Sequence, residues 1–204
     1  FTFDMPLPLR DRFCEVELMP DVESWTEWAS QSVNPHLVSF INWKNTYLYR
    51  VSDTGQDKST TPRGIARASQ LIGKLNITDP QVNMLCAISC GEAFATEFQA
   101  YVKYFSELDW DKIYDDPEVV KDYSVSHLFA ISGGIAEHFL AKPDTFEKCM
   151  TVVEHMKTEY AVMSLRLMRD GDKKRFANRA KKSKKFLETI APNVGKFLLD
   201  EIGA

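Results

Sequence analysis

The feature that most constrains this chain is a helical spacing of apolar residues that begins at Asp21 and continues through most of the sequence. An Asp21 N-cap precedes the first stripe, in which apolar residues recur at steps of three and four. The longest stripe follows an Asp144 cap, runs from Phe146 to Leu167 and ends before Gly171. Helices of this kind bury one face against each other, so we predict an all-α, multi-helix bundle.

Proline marks several further helix starts. Pro35 opens a short helix, and the pairs Thr61-Pro62 and Asp79-Pro80 each combine an N-cap residue with proline at the first helical position. The polar segment 52–61 contains no apolar residue, which predicts an exposed loop before the helix at Pro62.

One stretch, residues 13–19, alternates apolar and polar residues as a strand does. Residues 109–117 form an acidic connection, and we take it as the boundary between two helical parts. The predicted divisions are therefore 1–20, which contains the short strand, 21–108 and 109–204.

Composition indicates a soluble, cytoplasmic protein. The 204 residues are 44% hydrophobic and 26% charged, and no run of about 18 apolar residues that could span a membrane occurs. Cys86 and Cys90 would share one helix face, and we interpret them as small buried hydrophobes and predict no metal site. Because the sequence starts at Phe1 and not at methionine, we expect a piece of a longer protein.

Common catalytic motifs are missing from the sequence. It contains no P-loop (G-x-x-x-x-G-K-[ST]), no G-x-S-x-G, no H-E-x-x-H and no G-x-G-x-x-G, and its four histidines do not cluster. We therefore expect that this chain alone neither binds nor hydrolyses a nucleotide.

Two short segments that contain arginine tell more about function than the missing catalytic motifs do. Arg10 and Arg12 flank Asp11 just before the predicted strand, at the edge of whatever domain that strand completes. Arg63 occupies the second position of the helix that starts at Pro62, where a cation opposes the helix dipole. Such a placement costs a few tenths to about 1 kcal/mol unless an anion is near, and it therefore suggests a phosphate partner.

Charge is strongly segregated along the chain. The net charge is -4, yet the segment 173–185 carries eight basic residues and no acidic one, so the remainder carries -12. This segment would bind nucleic acid or an acidic partner, or else form a solvated face. Its basic residues are Lys173, Lys174, Arg175, Arg179, Lys181, Lys182, Lys184 and Lys185.

Four segments resemble the MoxR-type branch of AAA+ ATPases, particularly its bacterial and phage members. Residues 5–13 are similar to the family stretch in which a Pro-Leu pair precedes an Asn/Asp-Arg-Phe triplet and the last strand of the nucleotide-binding core. Residues 21–29 resemble the first lid helix, and Cys90 to Phe98 a Gly-Glu/Ala-rich lid helix. Thr61-Pro62-Arg63 resembles the sensor-2 motif, although Gly64-Ile65 stands where the family often has Ser-Trp. The likeness covers about residues 5 to 118.

The resemblance implies that the two arginine motifs contact nucleotides bound by different subunits. Arg12 would be an arginine finger that reaches the γ-phosphate bound by a neighbouring subunit, with Arg10 as a competing candidate, and Arg63 would touch the phosphates in its own subunit. It further implies that the parent protein uses ATP and Mg²⁺ and forms a homo-oligomeric, hexameric ring, while this part carries no cofactor itself. Residues 1–20 would be the end of the nucleotide-binding core and 21–108 the lid.

Two hypotheses result. The first is a lid and C-terminal helical part of an ATPase that couples hydrolysis to remodelling of a client protein, whose identity is unknown. The second is a stand-alone helical interaction module that binds nucleic acid or an acidic protein through residues 173–185.

Overall fold

The computed structural model describes residues 12, 20–52 and 57–194. The described residues are 77% helical and form no strand, which confirms the predicted all-α, multi-helix fold. The strand predicted at 13–19 lies outside the described residues.

Ten α-helices follow one another in the described part of the chain. They are α1 Val22–Ala29, α2 Pro35–Trp43, α3 Pro62–Ile72, α4 Pro80–Cys90, α5 Glu92–Ser106, α6 Trp110–Asp115, α7 Val125–Ala141, α8 Phe146–His155, α9 Thr158–Gly171 and α10 Lys173–Ala180. Short 3₁₀ turns occupy Asn45–Tyr47, Pro117–Asp122 and Pro143–Thr145, and a π-helical turn occupies Phe186–Ile190.

Three helices begin where their caps predict. Asp21, Thr61 and Asp79 are the N-caps of α1, α3 and α4. In each case a side-chain oxygen accepts a hydrogen bond from a backbone N–H two or three residues further on, at 2.7 to 3.1 Å. These bonds satisfy donors that would otherwise be unpaired in the first helical turn.

The prediction of one long helix after Asp144 is wrong. Two helices, α8 and α9, replace it, and Lys157 between them has the extended backbone angles φ -62° and ψ 147°. Asp144 is not the cap, since it lies in the 3₁₀ turn before α8. The stripe concealed the break because Val153 and Tyr160 keep a helical spacing of seven residues, and spacing alone does not show whether the backbone between two residues is helical.

The long helix α7 lies at the centre of the bundle. It packs against α2, α5 and α9, while α4 packs against α3 and α5. Ile131, Ile135 and Phe139 of α7 are fully buried. Helices from both sides of the 109–117 connection therefore contribute to one hydrophobic cluster. The division into 21–108 and 109–204 stays a prediction about subdomains.

Candidate functional site

The first turn of α3 presents Arg63 to solvent. Thr61 caps the helix through the Gly64 N–H, Pro62 occupies the first position, and the Arg63 side chain is exposed. Within residues 20–52 and 57–194, no acidic side chain pairs with Arg63. An uncompensated cation thus stands at the positive end of the helix dipole.

Close packing holds α3 against α4 at this point. A Cβ atom added at Gly64 would lie 2.9 Å from the Ser89 carbonyl oxygen, so a larger residue would push the two backbones apart. Ile65, the next residue, is fully buried. The close contact at Gly64 and the buried Ile65 therefore fix the backbone of α3 on either side of Arg63.

A second family-like segment meets the loop that leads into α3. Gly91 joins α4 to α5 with φ 95°, and a Cβ atom there would lie 2.3 Å from the Lys58 carbonyl oxygen. The Asp57 carboxylate accepts hydrogen bonds from the backbone N–H groups of Glu92 at 3.0 Å and Ala93 at 3.3 Å. These bonds lower the pKa of Asp57 below its ordinary value and cap α5 with a negative charge.

Two further contacts fix the same loop. The Thr60 hydroxyl donates to the Cys90 carbonyl at 2.8 Å, and Thr60 forms an isolated antiparallel bridge with Arg50. The lid-like motifs at Thr61-Pro62-Arg63 and at Cys90-Gly91, which are far apart in sequence, are thus adjacent in the fold. Sequence order alone did not predict this contact.

The other predicted arginines are only partly described. Arg12 is exposed, whereas Arg10 and the rest of residues 1–19 lie outside the described residues. The pairing of Arg12 with a neighbouring subunit and the competing role of Arg10 therefore stay predictions.

The basic segment 173–185 is anchored to the bundle by internal contacts. Arg175 pairs with Asp172 at 3.1 Å and also donates to the Leu140 carbonyl, and Arg179 forms a short ion pair with Asp144. Lys185 pairs with Glu154 at 3.1 Å. The two arginines and Lys185 are therefore part of the internal structure, a role that the charge pattern did not reveal.

The remaining five basic residues form what we call the basic surface: Lys173, Lys174, Lys181, Lys182 and Lys184. All five are exposed, and none has an ion pair with another described residue. They are the part of the segment that is available to a partner.

A polar cleft of about 620 Å³ lies between α1 and α9. Asp21, Glu23 and Glu27 line one side, and the other side holds a largely buried ion pair in which Arg169 Nε lies 2.8 Å from Asp170 Oδ1. Sequence reasoning did not find this cleft, because its walls are separated by more than a hundred residues and carry no motif.

A buried polar network crosses the centre of the bundle. His36 is fully buried, with Nδ1 3.1 Å from the Tyr101 hydroxyl and Nε2 3.1 Å from a Glu137 carboxylate oxygen. Beside Glu137, the ring of His138 lies 2.6 Å from the Tyr114 hydroxyl. The histidines that are scattered in sequence are therefore partly gathered in space, and the network ties α2, α5 and α7 together.

Electrostatics make this network sensitive to acid. Burial raises the pKa of Glu137, but its hydrogen bond and charge interaction with His36 outweigh burial, so that the pKa lies below 4.5. Burial lowers the pKa of His138 below 6.5, opposed by Glu137 and assisted by the charges of His36 and Lys142.

We expect the free energy of unfolding to fall between pH 7 and pH 5 because of His138. A folded-state pKa below 6.5 means that the unfolded chain binds this proton more tightly, so the stabilisation is complete above about 6.5 and is lost as the pH falls through the folded value. Glu137 adds a second loss only below about 4.5. Urea unfolding at pH 7, 6 and 5 measures this dependence.

His138→Gln should flatten the dependence between pH 7 and 5, whereas the control His155→Gln, at the end of α8, should retain it. If His138→Gln and the unaltered protein lost the same stability between pH 7 and pH 5, His138 would not be the cause of the pH dependence.

The two thiols of α4 belong to the core. Cys86 and Cys90 are fully buried, and burial raises the pKa of each to about 12. Both are therefore protonated at neutral pH, which suits the interpretation as small hydrophobes.

No protein-family profile matches this chain, and no curated protein or solved structure is detectably similar to it. The resemblance to MoxR-type ATPases therefore rests on the motif residues themselves. None of the described helices has the length and apolar character needed to cross a bilayer.

Proposed function

We propose that this chain is the lid and C-terminal helical part of a MoxR-type AAA+ ATPase, which acts with a nucleotide-binding core that carries the P-loop. The observation that carries the proposal is the exposed Arg63 guanidinium in the first turn of α3, without an acidic partner in the described part of the chain. A cation at this end of a helix is unfavourable unless it meets an anion. A triphosphate on the adjoining core would supply that anion.

The chemistry required of the two arginines is electrostatic. ATP with Mg²⁺ supplies the bond that is cleaved and the charge that develops on the phosphoryl oxygens. Arg63 would bind phosphate oxygens in its own subunit, and Arg12 would reach those bound by the neighbouring subunit. A planar, permanently charged guanidinium suits both tasks, because it donates two parallel hydrogen bonds to a phosphate.

The packing around Arg63 explains how such a contact would move the lid. Gly64 holds α3 against α4, and Asp57 together with Gly91 holds the preceding loop against α5. A change in the phosphate contact at Arg63 would therefore be transmitted to three packed helices as a rigid body. In a hexameric ring of such subunits, this rotation would drive the remodelling of a client protein in the cytoplasm.

Replacing Arg63 by alanine tests the proposal. In the protein that joins this chain to its P-loop core, Arg63→Ala should weaken ATP binding about 10- to 100-fold, as expected for the loss of one hydrogen-bonded charge pair. Arg67→Ala is the matched control, since Arg67 is also exposed and lies one turn further along α3. Titration with a fluorescent ATP analogue measures the affinity.

Equal affinities for Arg63→Ala and Arg67→Ala would refute the phosphate contact. Two simpler observations bear on the same proposal. The reading frame upstream of Phe1 should encode a P-loop and an acidic metal-binding strand, and this chain by itself should show no ATP turnover. A methionine start just before Phe1, or clear turnover by this chain alone, would contradict the assignment.

The basic surface supports a second candidate, a helical interaction module whose partner is an anion. Five exposed lysines without internal ion pairs among the described residues favour it. Titration against single-stranded and duplex DNA at two salt concentrations tests the nucleic-acid form of this candidate. No binding even at low salt would remove that form and leave an acidic protein as the partner.

A further inference from the structure

The basic surface is held in place by the aromatic core beneath it. Phe176 of α10 is buried and makes edge-to-face contacts with Phe139, Phe146 and Phe186, at centroid distances of 5.7 to 6.3 Å. Lys174, Lys181 and Lys182 lie on the side of α10 and its following turn opposite Phe176. The lysines therefore project from a fixed platform, and a partner would not have to order the segment first.

A matching acidic surface occupies α6 and the 3₁₀ turn after it. We define it as the exposed carboxylates of Asp111, Asp115, Asp116 and Asp122, none of which has a hydrogen bond or ion pair with another described residue. Asp111 and Asp115 are separated by one helical turn and lie opposite the buried Ile113.

Aromatic contacts also anchor the acidic surface. The ring centroid of Trp110 lies 4.4 Å from that of His138 on α7, and the Tyr114 hydroxyl is hydrogen-bonded to the same histidine. The carboxylates are thus presented by a rigid part of the fold.

Helix α8 lies between the two surfaces. On one side, Lys148 of α8 lies over the ring of Tyr114, and His155 lies 3.9 Å from Glu118. On the other side, Glu154 pairs with Lys185, and the Phe146 ring meets Phe186. The two surfaces therefore lie on different sides of α8, and no ion pair joins them among the described residues.

Nucleic acid fits the basic surface less well than a compact acidic partner does. The surface consists of lysines, which act as point charges, and Phe176, the aromatic residue between them, is buried, so no stacking platform accompanies the charges. Because the chain outside 173–185 carries a charge of -12, a nucleic acid strand that extends beyond the surface would be repelled. Four carboxylates on a second copy supply the opposite charge to the five lysines within one compact surface.

We propose that the basic surface of one copy docks against the acidic surface of a second copy of this chain. Exposed ion pairs are individually weak and are screened by salt, so the association should be modest and should weaken at least about tenfold between 50 and 500 mM NaCl. The association should occur without nucleotide and be the same in Arg63→Ala. A failure of the docking proposal can therefore be distinguished from a failure of the ATPase proposal.

Charge reversal on either surface tests this docking. Lys174→Glu/Lys181→Glu and Asp111→Lys/Asp115→Lys should each be monomeric, because the first change lowers the charge of the basic surface from +5 to +1 and the second brings the acidic surface from -4 to 0, so that the attraction is lost. An equimolar mixture of the two variants should associate again, since the intact acidic surface of the first variant can dock against the intact basic surface of the second. Sedimentation velocity at 50 and 500 mM NaCl measures association, and circular dichroism confirms that every variant is folded.

The control is Lys74→Glu/Lys103→Glu, which makes the same charge change at two exposed lysines outside the basic surface and should associate as the unaltered chain does. The proposal is overturned if the unaltered chain is monomeric at low salt, if the mixture fails to associate, or if the control loses association equally. Binding of a DNA oligonucleotide to the basic surface in place of self-association would likewise overturn it.

Discussion

If this chain belongs to the ring-forming ATPase proposed above, replacing Arg12 by alanine in that ATPase should lower ATP turnover by about 10³- to 10⁵-fold, the range measured for arginine fingers. The reason is that charge accumulates on the transferred phosphoryl group, and a guanidinium supplied by the neighbouring subunit would neutralise it. ATP binding should change little, because the loss concerns the transition state. Steady-state turnover and nucleotide affinity, measured on the same preparation, separate the two effects.

Two companion variants sharpen this prediction. Arg12→Lys should recover only a small part of the activity, since an ammonium lacks the planar fork of the guanidinium. A mixture of Arg12→Ala subunits with subunits that lack the P-loop lysine should regain some turnover, because one kind of interface then contains both intact groups. Normal turnover in Arg12→Ala, together with loss in Arg10→Ala, would identify Arg10 as the finger instead.

Phe40→Ala should destabilise the fold by about 3–5 kcal/mol, the usual range for truncating a buried phenylalanine. Phe40 lies in α2 and is fully buried. Its ring contacts five other aromatic rings at centroid distances of 5.2 to 6.3 Å, and these belong to Trp43, Tyr47, Phe94, Phe98 and Tyr101. Alanine would leave a cavity that neither α2 nor α5 could close.

Urea unfolding monitored by circular dichroism measures this loss. Phe40→Leu is the control, because it keeps most of the apolar volume and should cost clearly less than alanine. Trp28→Ala serves as a second control, since Trp28 is 52% exposed and should change stability little. A loss below about 1 kcal/mol in Phe40→Ala would show that the aromatic cluster is not the centre of the core.

Local signals predicted individual helices well. The caps Asp21, Thr61 and Asp79 start α1, α3 and α4 as expected, because a cap and the turn it stabilises are separated by only two or three residues. The break at Lys157 was missed because the spacing of apolar residues stays helical across it. Such spacing does not distinguish one long helix from two successive helices.

The sequence placed Arg63 in the first turn of a helix but did not predict what surrounds it. Arg63 at the start of α3 follows from the Thr-Pro-Arg motif, yet its contact partners, Gly64 against Ser89 and Asp57 against α5, depend on packing between helices. The charge run 173–185 was visible at once, but not that Arg175, Arg179 and Lys185 are used internally.

By itself, the sequence determined that this chain is helical, where α1 to α4 begin and which residues carry its charge, because these properties depend on neighbours within one or two turns. Only the tertiary structure decided which charged and polar groups are paired. His36 meets Glu137 across 101 residues, and Arg179 meets Asp144 across 35. Such pairs depend on how helices are arranged in space, and no short-range pattern records that arrangement.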